Sequence, residues 1–97
     1  MMYIFIYHAG PIPITEEQRK ENRQAWQIWN TNLHETYGIR TAAGKIVSAD
    51  GVINYNGNLK GASIIEAASL EEAVEIAKKS PTVFYGGTVE VLEEFQR

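Results

Sequence analysis

The sequence predicts an α+β domain in which two helices cover one face of a four-stranded antiparallel sheet. Three observations predict it. Two helix-start patterns each lead into an apolar stripe of helical period, short β-prone runs flank both stripes, and 97 residues leave room for one hydrophobic core. Residues 1–97 are therefore expected to form a single domain.

The elements follow in order. Tyr3 to Tyr7 are aromatic or β-branched and stop at the turn-rich Gly10-Pro11-Ile12-Pro13, which makes them strand one. Thr15 with Gln18 three residues on has the form of a capping box, and Glu16 and Glu17 place negative charge at the positive end of a helix. Ala25, Trp26, Trp29, Leu33 and Tyr37 then recur at spacings of three and four, so the helix is expected to run five or six turns to Gly38. Lys45-Ile46-Val47 reads as strand two. Asn56-Gly57 is a strong turn signal, and Ala62 to Ala67 reads as strand three. Ser69 with Glu72 repeats the capping box. Leu70, Ala73, Val74 and Ala77 form the buried face of a second helix, with Lys78 and Lys79 at its negative end and Pro81 closing it. Gly86-Gly87 opens the last strand, Thr88 to Val91, where valines alternate with polar residues. The order β-α-β-β-α-β is the ferredoxin-like arrangement, with both helices on the same face of the sheet.

Strand one decides the assembly. Tyr3, Phe5 and Tyr7 point to one side and Ile4, Ile6 and His8 to the other, so the strand is apolar on both sides. A strand of that kind expects cover on both. Two helices cover one face only, and a chain this short has few elements to spare, so a second copy is expected on the other face. Two sheets meeting in this way would enclose a cleft.

Composition narrows the function. Nine basic and twelve acidic residues give a net charge of −3, with the cations scattered, which argues against nucleic acid as a partner. The chain has no cysteine, so disulfides, thiolate metal sites and cysteine nucleophiles are unavailable to it, and a cytoplasmic location is expected. The apolar opening stops at His8 with no cation ahead of it, as a strand does and a leader does not, and no run reaches membrane-spanning length.

The string Gly61 to Ala73, with Ser80-Pro81 and Gly86-Gly87-Thr88-Val89-Glu90-Val91, resembles the YCII-related (DGPF) family. The apolar start and the Ala43-Gly44 turn resemble it too. The resemblance implies a dimeric α+β barrel related to the ferredoxin-like fold. It also implies a site built, in many members, on a His within an Arg-x-x-His stretch of the first helix and an Asp just before the Pro that ends the second. This sequence departs at both places: Arg23-Gln24-Ala25-Trp26 puts Trp26 where that pattern has His, and Ser80 stands in place of Asp. Indole cannot exchange a proton near neutral pH, and a hydroxyl carries no charge with which to orient a base. An alignment offset along the helix would make His34 the displaced histidine.

The candidate catalytic residues are His8, His34 and Asp50. His8 ends the two-faced strand and can serve as acid or base at a cleft, or simply cap the strand. His34 can complement the helix dipole with no further role, and Asp50 before Gly51 more often makes a turn. The candidate ligand-binding residues are Tyr7, His8, Trp26, Trp29, Tyr55 and Tyr85. Trp26 and Trp29 share a helix face, where they can pack the core or wall a pocket for an aromatic ligand. No His-x-x-x-His spacing or phosphate loop occurs, so neither metal nor cofactor is expected. The leading expectation is a homodimer binding a small aromatic or enol-like metabolite at or near the sheet interface. The alternatives are a cofactor-independent lyase or isomerase with a His base, and an accessory domain that only dimerises or binds another protein.

Overall fold

The computed structural model describes residues 1–10, 15–33 and 35–95. Its elements are β1 (Met2–His8), α1 (Glu16–Asn32), β2 (Glu35–Arg40), β3 (Lys45–Ser48), β4 (Gly51–Asn54), β5 (Leu59–Glu66), α2 (Leu70–Ala77), α3 (Pro81–Phe84) and β6 (Thr88–Glu93). Four strands form one antiparallel sheet in the order β2-β5-β1-β6, and β3 pairs with β4 as a separate hairpin. Counted along the sheet strands alone, this is the expected ferredoxin-like order.

Two of the expected elements change place. The first helix ends at Asn32, where Leu33 turns extended, and Tyr37 and Gly38 lie on β2. The spacing of four from Leu33 to Tyr37 fits a helix, but Tyr37 and Ile39 equally fit a strand, and pairing with Ile64 and Ala62 of β5 selects it. The run Lys45 to Val47 is a strand as expected, but it belongs to the hairpin instead of the main sheet. The hairpin turns at Ala49-Asp50, with Gly51 at φ 137°. Asn56-Gly57 lies in the link from β4 to β5. Pro81 does more than close α2: it opens α3, with Ser80 as N-cap.

The Thr15 capping box forms in full, whereas at Ser69 only the hydroxyl half forms and the Glu72 carboxylate accepts from the Ala68 amide instead, at 3.3 Å. Thr15 Oγ1 accepts from the Gln18 amide at 3.1 Å, and Gln18 Oε1 accepts from the Thr15 amide at 2.9 Å. Ser69 Oγ accepts from the Glu72 amide at 3.1 Å. The first starts α1 over the sheet and the second sets α2 against β6 and β1.

The core lies under the helices. Tyr3, Phe5 and Tyr7 are buried there with Ile65, Ala67, Ala73 and Ala77, and Trp26, Trp29, Val89 and Val91 pack around them. The opposite face has no cover among the described residues. Cross-strand register puts Tyr37, Ile64, Ile4 and Leu92 in one row of that face, with Ile39, Ala62, Ile6 and Glu90 in the next. Seven of these eight side chains are apolar. The two-sided strand inferred from the sequence is present, with its aromatic side inward.

Candidate functional site

The aromatic candidates fall in three places: Tyr7 and Trp26 meet over the sheet, Trp29 and Tyr85 line a groove, and Tyr55 stands at the base of the hairpin. Tyr7 is fixed on the helix side of the sheet: its hydroxyl donates to Ser63 Oγ at 2.9 Å, and its ring meets Trp26 edge-on with centroids 5.1 Å apart. Burial raises the Tyr7 phenol pKa above its ordinary value, and the hydrogen bond to Ser63 works against that rise. The Trp29 indole nitrogen is near enough to lower it further. It does not complete a hydrogen bond, however, and is left buried without a partner.

α1 is loosely seated. None of its residues is fully buried, and Asn22, Ala25, Trp26 and Trp29, at helical spacing, are only half-buried on its inner side. The helix therefore leaves a groove of about 690 Å³ between itself, the end of α2 and α3. Trp29, Leu33, Ile76, Phe84 and Tyr85 wall it, and Glu21, Asn32 and Lys79 supply its polar groups. Its volume falls in the range of small-molecule sites, and it is open to solvent on the side of Ile28 and Phe84, both exposed.

A glycine turn positions Tyr85. Gly86 adopts φ +84° after α3, and a Cβ on Gly10 would stand 2.7 Å from the Gly86 carbonyl carbon. The end of β1 and the turn after α3 therefore touch through bare backbone, bringing Tyr85 to the mouth of the groove. Ser80, where the family pattern places Asp, is buried, and its hydroxyl accepts from the Thr82 amide to cap α3. That hydroxyl holds a helix end.

His8 points to the other face. Its Nε2 lies 2.5 Å from Glu90 Oε1 and its Nδ1 lies 3.1 Å from Asn58 Oδ1. Asn58 is oriented by its own Nδ2, which donates to the Ala9 carbonyl at 3.1 Å. Each ring nitrogen thus faces an oxygen acceptor, and only the doubly protonated imidazolium donates to both. A lone pair for general-base work requires one of these contacts to open.

Asp50 and Tyr55 join neither the groove nor the His8 face. Asp50 sits in the exposed turn of the β3–β4 hairpin, its amide donating to Ser48 Oγ at 3.3 Å. The Tyr55 hydroxyl accepts from the Leu59 amide at 3.0 Å and pins the base of the hairpin. His34 lies outside the described residues. Among the described residues no group of three or more His, Cys, Asp or Glu is placed to hold a metal ion, and no helix is long and apolar enough to cross a membrane.

Sequence reasoning missed Glu90, Asn58 and most of the groove. Glu90 was visible only as a polar position on an alternating strand, and nothing local ties it to His8, 82 residues away. Phe84, Ile76 and Lys79 carried no signal beyond helix packing and capping.

Comparison with known proteins agrees with the fold. The family model described as YCII-related domain matches residues 1–95. No curated protein sequence matches the chain. Among solved structures, the chain is similar to the 5-chloro-2-hydroxyhydroquinone dehydrochlorinase of Burkholderia phenoliruptrix in complex with 2,5-dihydroxybenzoquinone. The two share 18% identity at a TM-score of 0.65, over 99% of this chain and 94% of that one. At that identity the likeness shows a shared fold.

Proposed function

The chain belongs to the YCII-related family, and on that premise we propose that it is a homodimer binding a small, flat, oxygen-substituted ring in the groove between α1 and α3. The observation that carries this reading is the groove itself. Trp29 and Tyr85 offer ring faces and edges, while Lys79 and Asn32 offer donors to the oxygens of an enol or phenol. The dihydroxybenzoquinone bound by the structural neighbour is a molecule of this class. The ligand then lies on the helix side of the sheet, and the open face of each copy is left for contact with the other copy. The cysteine-free sequence supports a reducing, cytoplasmic setting.

Calorimetric titration with 2,5-dihydroxybenzoquinone and related hydroquinones tests the proposal. Binding is expected with a Kd below about 1 mM, and Trp29→Ala or Tyr85→Ala should weaken it at least about tenfold, or 1.4 kcal/mol. No measurable heat from any of these ligands would reject it, as would affinity indifferent to both substitutions.

The His8–Glu90 pair favours a second reading, a cofactor-independent lyase or isomerase acting at the open face. The His8 ring is held at that face between Glu90 and Asn58, as an acid–base group oriented by neighbours would be. His8→Ala separates the two readings: it should leave binding in the groove unchanged, whereas an enzyme dependent on His8 loses its turnover.

A further inference from the structure

The β3–β4 hairpin is the part of the molecule least accounted for by the chain's own packing. Its cross-strand pairs are Ile46 with Ile53 and Val47 with Val52. Adjacent positions on a strand face opposite ways, so the isoleucines lie on one side of the ribbon and the valines on the other. All four are exposed, at 41% for Ile46, 76% for Val47 and 61% for both Val52 and Ile53. A ribbon serving only as a solvated loop would carry polar residues on at least one side.

Nor does the hairpin lean on its own domain. Among the described residues, β3 and β4 pack substantially with each other and with no other element. The ribbon is held at its base, where the Tyr55 amide donates to the Gly44 carbonyl at 2.8 Å and the Tyr55 hydroxyl accepts from Leu59. A lone two-stranded hairpin is marginal in water, and exposed apolar strand edges invite association.

The surface area indicates what covers it. The chain exposes 7316 Å², whereas a compact monomer of 10.9 kDa exposes about 5,600 Å². The excess of roughly 1,700 Å² per chain, lost from each of two copies, falls within the interface range of obligate homodimers. The same chain carries a matching bare surface, the open sheet face with Ile4, Ile6, Ile64, Leu92, Tyr37 and Ile39. A two-fold axis would let each copy supply both an arm and a seat.

We propose that the β3–β4 hairpin is an arm that lies against a second copy of the chain and clamps the homodimer, each copy giving its arm to the other. This rests on the dimer put forward above and goes beyond it by naming the element that holds the copies together.

Two experiments test it. The first replaces residues 42–57 with a short Gly-Ser link and measures sedimentation velocity. The unaltered chain is expected to sediment as two chains, and the shortened one to dissociate at least about tenfold more readily. The second uses the absence of native cysteine: with Val47→Cys, or separately Val52→Cys, the thiol should react slowly with a thiol reagent at micromolar protein and fast after dilution below the dimer's Kd. Paired chains with equally fast labelling at every concentration, or a shortened chain that dimerises as tightly as the original, would overturn the arm while leaving the dimer. An unaltered chain that sediments singly would overturn both.

Discussion

Burial of the Tyr7 ring beneath α1 raises its phenol pKa, and Tyr3 is raised as well, by burial first and then by Glu93, Glu71 and Glu72. In both cases the folded chain keeps a proton that the unfolded chain gives up at lower pH. The resulting stability is whole below the ordinary phenol value of about 10 and is lost as pH climbs from there towards the raised folded values. Urea unfolding midpoints should therefore fall steeply above pH 10. Tyr7→Phe should flatten part of that fall while costing about 1–2 kcal/mol at neutral pH, because buried Ser63 loses its partner. An unchanged alkaline limb would show that Tyr7 does not titrate with unfolding. At this scale the sequence was informative about residue type and silent about pairing. Trp29 and Tyr85 stand out as large rings, and His8 as a polar residue ending an apolar strand. The contacts of His8 with Glu90 and Asn58 depend on a register set by the whole sheet, which spacing along the chain does not encode.

At the scale of elements, the legible parts were those with local chemistry. The Thr15 and Ser69 caps act within four residues, and the valine alternation of β6 reports one half-buried, inward side. β2 was hidden because Leu33 and Tyr37 continue the helical stripe, and a six-residue strand holds too few positions to outvote it. The turn at Gly86 was legible as a glycine pair, but its conformation was not. Gly86 has φ +84°, and a Cβ there would meet nothing within 4 Å, so Gly86→Ala imposes a backbone cost alone, about 1–2 kcal/mol. Since this turn carries Tyr85 to the groove, the substitution should also weaken ligand binding. Equilibrium unfolding and calorimetry on the same variant read both effects, and full stability would mean the turn is not left-handed in solution.

For the whole molecule, shape argues more strongly than any single contact. The radius of gyration is 14.7 Å, against about 12.5 Å for a compact chain of this length, and the extents of 45 × 40 × 18 Å describe a slab. A slab one sheet and one helix layer thick, with an apolar open face, leaves one side of its sheet without a packed layer. The bare apolar face was legible from one strand, since Ile4 and Ile6 back the aromatic side of β1 and two helices cover only that aromatic side. If a second copy covers that face, folding and association are one equilibrium, and stability depends on protein concentration. Each tenfold rise in concentration adds about 1.4 kcal/mol per dimer. Spread over the unfolding entropy of two such chains, that is about 3 °C in Tm. Scanning calorimetry from about 1 to 100 µM should show a rise of about 6 °C, since a hundredfold span is two such steps. A chain that shelters its second face alone would melt at one temperature throughout.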